Sequence, residues 1–280
     1  MTSPTYSKKT AAWYKDLLTG PGASLLLAIL LALSWAGAAI ADISPYEARY
    51  SIYRNGKLIG MLEIDLKQDG DAWEINSKGS GTHGLARILR ARDTEKVTGR
   101  IADGRYLPDQ HVRHTRVVGL DDHWKTTFDW ENDQVTVVED GKKTWTLPLG
   151  GEALDPLSMK LEMRQRLEKP EPDLVFMMVD EDEIEEQRFR LLETEWLETS
   201  LGCMETTPIE KIRKTSSRYT RAWHAPALGN IEVRVEHGKT GGDHMEMRIT
   251  ELSFGGEEIL ARPGCSAQQS TKRSTTAGDS

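Results

Sequence analysis

The chain has 280 residues, a formal net charge of −8 at pH 7 and only two cysteines. Such an acidic chain has no electrostatic reason to bind nucleic acid or an anionic bilayer surface, so neither is expected as a partner. Its length fits one large β domain or two small ones after a leader segment.

The first 41 residues have the three parts of a secretory signal peptide. Three lysines between residues 8 and 15 give a positive n-region, residues 23–35 are apolar, and Ala39-Ile40-Ala41 is a small-residue cleavage site. We therefore predict export to the Gram-negative periplasm with cleavage after Ala41, so that only the leader contacts the membrane. The alternative is an uncleaved anchor, because residues 21–41 are about long enough to span a bilayer.

Alternation of apolar and polar residues dominates the chain after residue 45 and predicts antiparallel β-strands. Residues 46–52 alternate and are followed by Asn55-Gly56, the strongest short hairpin signal, because both central positions of a type I′ turn require positive φ. The return strand, residues 58–66, turns again at Asp69-Gly70 and predicts a meander. Residues 82–91 have helical spacing instead and predict a short helix.

Residues 155–169 are predicted to form the main helix. The Asp155 carboxylate can accept the first free amides, Pro156 suits the first helical position, and Pro170 ends the helix. Its apolar side chains cover a broad arc, which lets such a helix lie against a curved sheet and be covered on more than one side.

Strands are predicted before and after that helix, with turns every ten to fifteen residues or so. In the second half of the chain they are 174–179, 184–199, 211–214, 218–223, 231–235 and 245–249. We therefore predict a mostly β fold: a large curved antiparallel sheet or open half-barrel with one main α-helix packed against it and one short helix. It forms a single domain over residues 42–261, and residues 262–280 have too little apolar surface to fold.

Several short sequence motifs follow one another along this domain. They are the tyrosine-flanked hairpin 46–66, Gly84-Leu85-Ala86, Asp103-Gly104-Arg105 with Pro108, the helix cap 155–158, Leu201-Gly202 and the corner 223–236. Over about residues 45–254 this order resembles the exported bacterial family catalogued as domain of unknown function 3108. The resemblance implies a fold and export from the cytoplasm, and no known activity. His224 departs from the family, which usually has Phe there, as does Ile231–Val233, where Leu-Pro-Val is usual.

The corner around Trp223 and His224 is either a joint between two strands or a reaction site. Pro226 cannot donate to a β ladder, so the strand must break there, and Gly229 lets the chain re-enter a strand. We interpret the segment as a strand–corner–strand joint that Trp223 anchors. The alternative is that Trp223 and His224 contact a ligand.

A curved sheet under a helix can leave an apolar trough between the two. The resemblance adds a loose likeness to the half-barrels of periplasmic lipoprotein carriers, an analogy of fold alone. We therefore predict a non-catalytic protein that binds a lipid-like or envelope-derived ligand or an envelope protein. The candidate contacts are Trp124, Phe128, Trp130, Trp223 and His224, with Trp73 and Trp145 as further trough aromatics. Aromatic residues in such positions are more often plain core.

Nothing in the sequence supports catalysis, a metal or a cofactor. It has no G-x-S-x-G nucleophile elbow, no H-E-x-x-H motif and no phosphate-binding glycine loop. His111 and His114 are three apart on a strand and so point to opposite faces, which prevents them from sharing a metal. The acidic run 180–186 lacks the glycine of a calcium loop and is interpreted as a solvated hairpin tip. A hydrolase acting on an envelope component is the alternative; it requires a buried His with carboxylates or a Ser.

Cys203 and Cys265 are a candidate disulfide, because an oxidising compartment permits one. Pairing requires Cα atoms about 4.4–6.8 Å apart, a distance that sequence does not give, so two unpaired thiols are the alternative.

Overall fold

The structure, a computed structural model, describes residues 43–213, 217–261 and 263–265. The predicted signal peptide and most of the predicted disordered tail lie outside the described residues. Within the described part, no helix combines the length and apolar character needed to cross a membrane.

The described residues are mostly β-strand, with two α-helices. The helices are α1 (Gly84–Ile88) and α2 (Pro156–Arg166). The strands are β1 (Tyr46–Arg54), β2 (Lys57–Asp69), β3 (Ala72–Gly81), β4 (Arg92–Ala102), β5 (Arg105–Val117), β6 (Leu120–Asp129), β7 (Gln134–Glu139), β8 (Lys143–Pro148), β9 (Asp173–Asp180), β10 (Glu183–Leu191), β11 (Glu195–Thr199), β12 (Gly202–Lys211), β13 (Arg218–Ala225), β14 (Ile231–Lys239), β15 (His244–Phe254) and β16 (Glu257–Glu258).

The strands form one large antiparallel sheet that does not close. Their order is β8-β7-β6-β5-β4-β3-β2-β1-β15-β14-β13-β12-β10-β9, with β11 paired to β12 and β16 to β15. The first eight strands therefore form a continuous meander. β15, from the C-terminal part of the chain, pairs with β1 and joins the two halves of the sheet. The predicted fold class is confirmed at this level: a mostly β protein with one large, open antiparallel sheet.

The predicted hairpins are confirmed in the structure. Asn55 and Gly56 have φ of 49° and 75°, both positive as a type I′ turn requires, and they join β1 to β2. The acidic run forms the tip between β9 and β10, where Asp180 pairs with Glu183. Hairpin tips depend on a few neighbouring residues, so their sequence signals are reliable.

The N-terminal cap of α2 is also confirmed. Asp155 is fully buried, and its Oδ1 accepts hydrogen bonds from the backbone N–H groups of Leu157 (2.9 Å) and Ser158 (3.0 Å). The second carboxylate oxygen accepts one from Ser158 Oγ. This cap satisfies free amides of the first turn and fixes where the helix begins.

The apolar arc of α2 contacts two separate hydrophobic clusters. Leu157 and Leu161 belong to the main core, which includes side chains from β1 to β5 and from β12 to β15. Met163 and Leu167 belong to a second cluster with β9, β10, β12 and β13. Arg164 is nearly buried, and its Nε donates to the backbone oxygen of Gly229 at 2.9 Å, so the helix also holds the β13–β14 corner.

The predicted strand 184–199 is wrong as a single element. The structure ends β10 at Leu191 and begins β11 at Glu195. β11 then folds back on the first half of β12, where Glu195 pairs with Thr206, while the second half of β12 pairs with β10. The alternation of side chains continues through this region, but the change of hydrogen-bonding partner is a long-range event that alternation does not encode. For the same reason β12 begins at Gly202, well before the strand predicted at 211.

A disulfide joins Cys203 of β12 to Cys265, with the two Cα atoms 4.7 Å apart. Two backbone hydrogen bonds support the contact: Cys203 N–H donates to the Pro263 oxygen at 3.1 Å, and Cys265 N–H donates to Glu198 Oε2 at 2.7 Å. The bond ties the segment that follows the sheet to the β11–β12 hairpin.

Candidate functional site

The corner that contains Trp223 has the form predicted for a joint. β13 ends at Ala225, a 3-10 turn covers Pro226–Leu228, Gly229 has a left-handed φ of 63°, and β14 begins at Ile231. Positive φ favours glycine, because a side chain there is sterically strained. The chain therefore turns with little cost where Pro226 interrupts the ladder.

Trp223 is a buried side chain on this corner. It is 4 % exposed within the main core, and its indole Nε1 donates to Glu195 Oε1 of β11. The guanidinium carbons of Arg234 and Arg221 lie 5.0 and 5.8 Å from its ring centroid. The indole thus has a hydrogen-bond acceptor at its edge and cations over its ring, with almost no surface for a ligand.

His224 is still more deeply buried, at 1 % exposure. Its Nδ1 lies 2.9 Å from the Asn230 backbone oxygen, so Nδ1 carries the proton and donates. Nε2 has no hydrogen-bond partner in the described part of the chain. Burial is the main cause that lowers the His224 pKa, against smaller raising effects of Glu232 and the Asn230 carbonyl. The imidazole is therefore held neutral inside the joint.

His224→Phe is expected to change the free energy of unfolding by less than about 1 kcal/mol. The change loses one neutral hydrogen bond, with a net value of about 0.5–1.5 kcal/mol, and removes a buried unpaired nitrogen whose desolvation costs about 1–3 kcal/mol. Urea unfolding of the two proteins measures the difference. A loss above about 2 kcal/mol would contradict a packing role in which Phe substitutes for His.

Trp73 lies in the main core, with its ring against Tyr106. The other four candidate aromatics, on and next to β6 and β8, form two stacked pairs. Trp124 stacks on Trp145, and Phe128 stacks on Trp130, each pair with ring centroids 5.9 Å apart. Trp130 Nε1 also donates to the Pro108 backbone oxygen at 2.7 Å. These rings belong to a third cluster together with side chains of β9 and β10. Their contacts place them where the open edges of the sheet approach each other.

An apolar cavity of about 230 Å³ lies between α2 and strands β9, β10, β12, β13 and β14. The helix contributes Met159 and Met163, and the strands contribute Met178, Phe189, Ile209, Ala222 and Val235. The aromatic candidates of the sequence analysis are not among its lining residues. The sequence signal for this cavity is a pair of methionines on the apolar arc of α2 together with alternating apolar residues on the strands, and it does not by itself distinguish a cavity from core.

One side of the cavity carries an ion pair between Lys160 and Glu232, with Nζ and Oε2 2.5 Å apart. Burial alone would lower the Lys160 pKa, but the Glu232 carboxylate raises it overall. Burial alone would raise the Glu232 pKa, but Lys160 and His224 lower it overall. Both groups therefore stay charged and neutralise each other.

Another part of the cavity lining is basic. Lys211 and Arg213 line it, and one Arg213 nitrogen, Nη2, donates to Thr220 Oγ1 at 3.1 Å. Burial is the main cause that lowers the pKa of both cations, with a further lowering from the neighbouring positive charge. Neither forms an ion pair with any residue that the structure describes.

A second His–acid pair lies near the start of α2. His111 is 8 % exposed, rather than on a solvated sheet face, and its Nε2 lies 3.0 Å from Glu95 Oε2. Burial alone would lower the His111 pKa, but the Glu95 hydrogen bond and the Asp155 and Glu95 charges raise it overall. Within the described residues no hydroxyl or thiol hydrogen-bonds to this imidazole, and Ser158 Oγ donates to Asp155 instead.

This pair predicts a pH dependence of stability. Folding raises the His111 pKa above the value near 6.5 that the residue has in the unfolded chain. The pair therefore stabilises the folded state fully below that pH, and this stabilisation is lost as the pH rises through the folded pKa. Glu95 has a lowered pKa and is ionised in both states over that window. Urea unfolding at about pH 6 and about pH 8.5 should show wild type losing more stability than His111→Gln. If both proteins lost the same stability between these pH values, the His111–Glu95 pair would not cause the pH dependence.

His114, Asp121 and His123 form a set of three potential metal ligands, whose donor atoms all lie within 4.8 Å of one another. His114 and His123 are cross-strand partners on β5 and β6, a neighbourhood that the analysis of His111 and His114 along one strand missed. Asp121 lies 2.5 Å from His114 Nε2 and 3.4 Å from His123 Nε2. The side chains of Asp121 and His123 are more than half exposed, and we assign no metal to the set.

These features define a class of protein: an open antiparallel sheet with one helix over an apolar, partly basic cavity. The family model described as "Protein of unknown function (DUF3108)" matches residues 46–249, and the chain belongs to this family. The resemblance seen in the sequence is therefore confirmed. No curated protein matches the sequence.

Three solved structures are similar to this chain at low sequence identity. A beta-barrel-like protein of domain of unknown function DUF1849 from Brucella abortus has a TM-score of 0.54 at 11 % identity, covering 76 % of this chain and 98 % of that one. A putative lipoprotein from Parabacteroides distasonis has a TM-score of 0.33 at 11 % identity, covering 75 % and 95 %. A putative exported protein with YmcC-like fold from Bacteroides fragilis has a TM-score of 0.30 at 13 % identity, covering 74 % and 95 %. The first of these supports the fold alone.

Proposed function

We propose that the protein is a non-catalytic periplasmic protein that binds an apolar ligand in the cavity between α2 and the sheet. The cavity itself carries the proposal, because concave apolar sites with a few fixed polar groups are the usual form of small-ligand sites. In this proposal the open sheet is a half-barrel and α2 packs against it as one wall of the site.

The chemistry of the lining supports a ligand of irregular apolar shape. Three of the lining side chains are methionines, Met159, Met163 and Met178. Methionine is unbranched and polarisable, so it adapts to different apolar surfaces. The periplasmic address is supported by the leader sequence and by the disulfide between Cys203 and Cys265, which an oxidising compartment permits.

The test is binding of the neutral apolar dye N-phenyl-1-naphthylamine, followed by its fluorescence. Val235→Trp places a large ring in the cavity from a half-buried position, and is expected to weaken binding at least about tenfold by occupying the site. Met61→Trp is the matched control, because Met61 is 37 % exposed on β2 and does not line the cavity. Melting curves establish that both variants fold. Unchanged dye binding by folded Val235→Trp would reject the cavity, and with it the binding proposal, in favour of a surface that recognises a protein partner.

A hydrolase is the second candidate, and the buried His111–Glu95 pair favours it. It requires a nucleophile within hydrogen-bond reach of the base, a contact that Ser158 makes with Asp155 instead. Turnover of a p-nitrophenyl ester by the purified protein, lost in His111→Gln, would replace the binding proposal with an enzymatic one.

A further inference from the structure

The cavity wall changes from apolar to basic along three neighbouring strands. Ile209 of β12 pairs with Ala222 of β13, which pairs with Val235 of β14, so these three form an apolar row across the sheet. Alternate residues of a strand share a face. Lys211, two positions beyond Ile209, lies on the same face at the end of β12, and Arg213, just beyond the strand, also lines the cavity.

The next cross-strand pairs on β13 and β14 are polar or basic as well. Thr220 pairs with His237, and Arg218 pairs with Lys239. Burial is the main cause that lowers the pKa of His237, and the charges of Arg213, Arg218 and Lys211 lower it further. Several positively charged side chains therefore lie close together on this part of the sheet, next to the apolar row of the cavity.

The basic side of the cavity keeps unused hydrogen-bond donors. Arg213 Nη1 is buried and has no hydrogen-bond partner among the described residues, although Nη2 donates to Thr220 Oγ1. Lys211 feels the negative charges of Glu185 and Asp180 but forms no ion pair with the described residues. Glu232, the carboxylate that lines the cavity, is already paired with Lys160. The acid of the site is thus neutralised, while two of its cations are left without a close counter-charge among the described residues.

We infer that the ligand is an amphiphile with a short apolar chain and an anionic head, a carboxylate or a phosphate. The chain lies on Met159, Phe189 and Val235, and the head receives hydrogen bonds from Lys211 and Arg213. The volume of about 230 Å³ is roughly eight times the ~30 Å³ that a water occupies in the liquid, which suits a short acyl chain or the end of a longer one. This inference rests on the proposed apolar site and adds that the polar head of the ligand is negatively charged.

The test compares three ligands of one chain length: octanoate, octanol and octylamine, each measured by displacement of N-phenyl-1-naphthylamine. Wild type is expected to bind octanoate about tenfold or more tightly than octanol, since hydrogen bonds to a charged group are the strong ones, and octylamine most weakly. The double variant Lys211→Gln/Arg213→Gln should bind octanol as wild type does and lose the preference for octanoate. Both side chains are partly exposed, so the variant is expected to fold.

The matched control, Lys57→Gln/Arg87→Gln, removes the same charge from exposed positions on β2 and α1 and should leave all three affinities unchanged. Equal binding of octanoate and octanol by wild type, or strongest binding of octylamine, overturns the anionic head while the apolar site stands. Failure of all three to displace the dye overturns the apolar site itself. Inorganic phosphate is the fourth arm: displacement by phosphate alone, as effective as by octanoate, would overturn the need for an apolar chain.

Discussion

Replacing Trp223 by alanine is expected to lower the free energy of unfolding by about 3–5 kcal/mol, the usual cost of emptying a buried aromatic site. The residue is 4 % exposed and donates to Glu195, so the variant loses core contacts and leaves a carboxylate without its partner. That cost is a large part of the roughly 5–15 kcal/mol that stabilises a typical domain. Urea unfolding followed by near-UV circular dichroism measures it directly.

Trp196→Ala is the matched control for Trp223→Ala. Trp196 lies on β11, the strand that contacts Trp223 through Glu195, but is 53 % exposed. Its removal is expected to cost less than about 1 kcal/mol, since exposed positions contribute little burial. If Trp223→Ala instead melted as wild type does and lost binding of N-phenyl-1-naphthylamine, Trp223 would be a ligand contact and the joint interpretation would fail.

Breaking the disulfide between Cys203 and Cys265 is expected to be the second large effect. The two residues are 62 positions apart, and the chain-entropy treatment of a loop of that size gives a stabilisation of about 4 kcal/mol, mainly by restricting the unfolded chain. Reduced wild-type protein should therefore unfold at lower urea concentration than oxidised protein, with a steeper dependence on urea, because its unfolded chain is less compact and exposes more surface. The measurement is a pair of unfolding curves with and without reductant.

The double variant Cys203→Ser/Cys265→Ser supplies the control for reduction. It should unfold like reduced wild type and should not respond to reductant, because it has no bond to break. A reduced protein as stable as the oxidised one would mean that the disulfide does not contribute to the free energy of unfolding.

Local features of this protein followed from its sequence, because each depends on a few neighbouring residues. The Asn55-Gly56 turn requires two positive φ angles, the Asp155 cap satisfies amides two and three residues away, and Pro226 with Gly229 breaks and restarts a strand. Alternation predicted most of the strands, although not the break between β10 and β11. The order of such landmarks was enough for the family, which the match over residues 46–249 confirms.

Beyond the local hairpins, the tertiary structure alone decided which strands are neighbours and therefore where the cavity lies. Period-two alternation states which face a side chain occupies, but not which strand pairs with it, so the switch of β12 from β11 to β10 was missed. The sequence pointed to large rings such as Trp124 and Trp130, which fill gaps near the sheet edges. The cavity formed instead where the α2 methionines meet Phe189 and Val235, and long-range pairing brought Lys211 to its rim. Those contacts join segments far apart in the chain, and no local pattern specifies them.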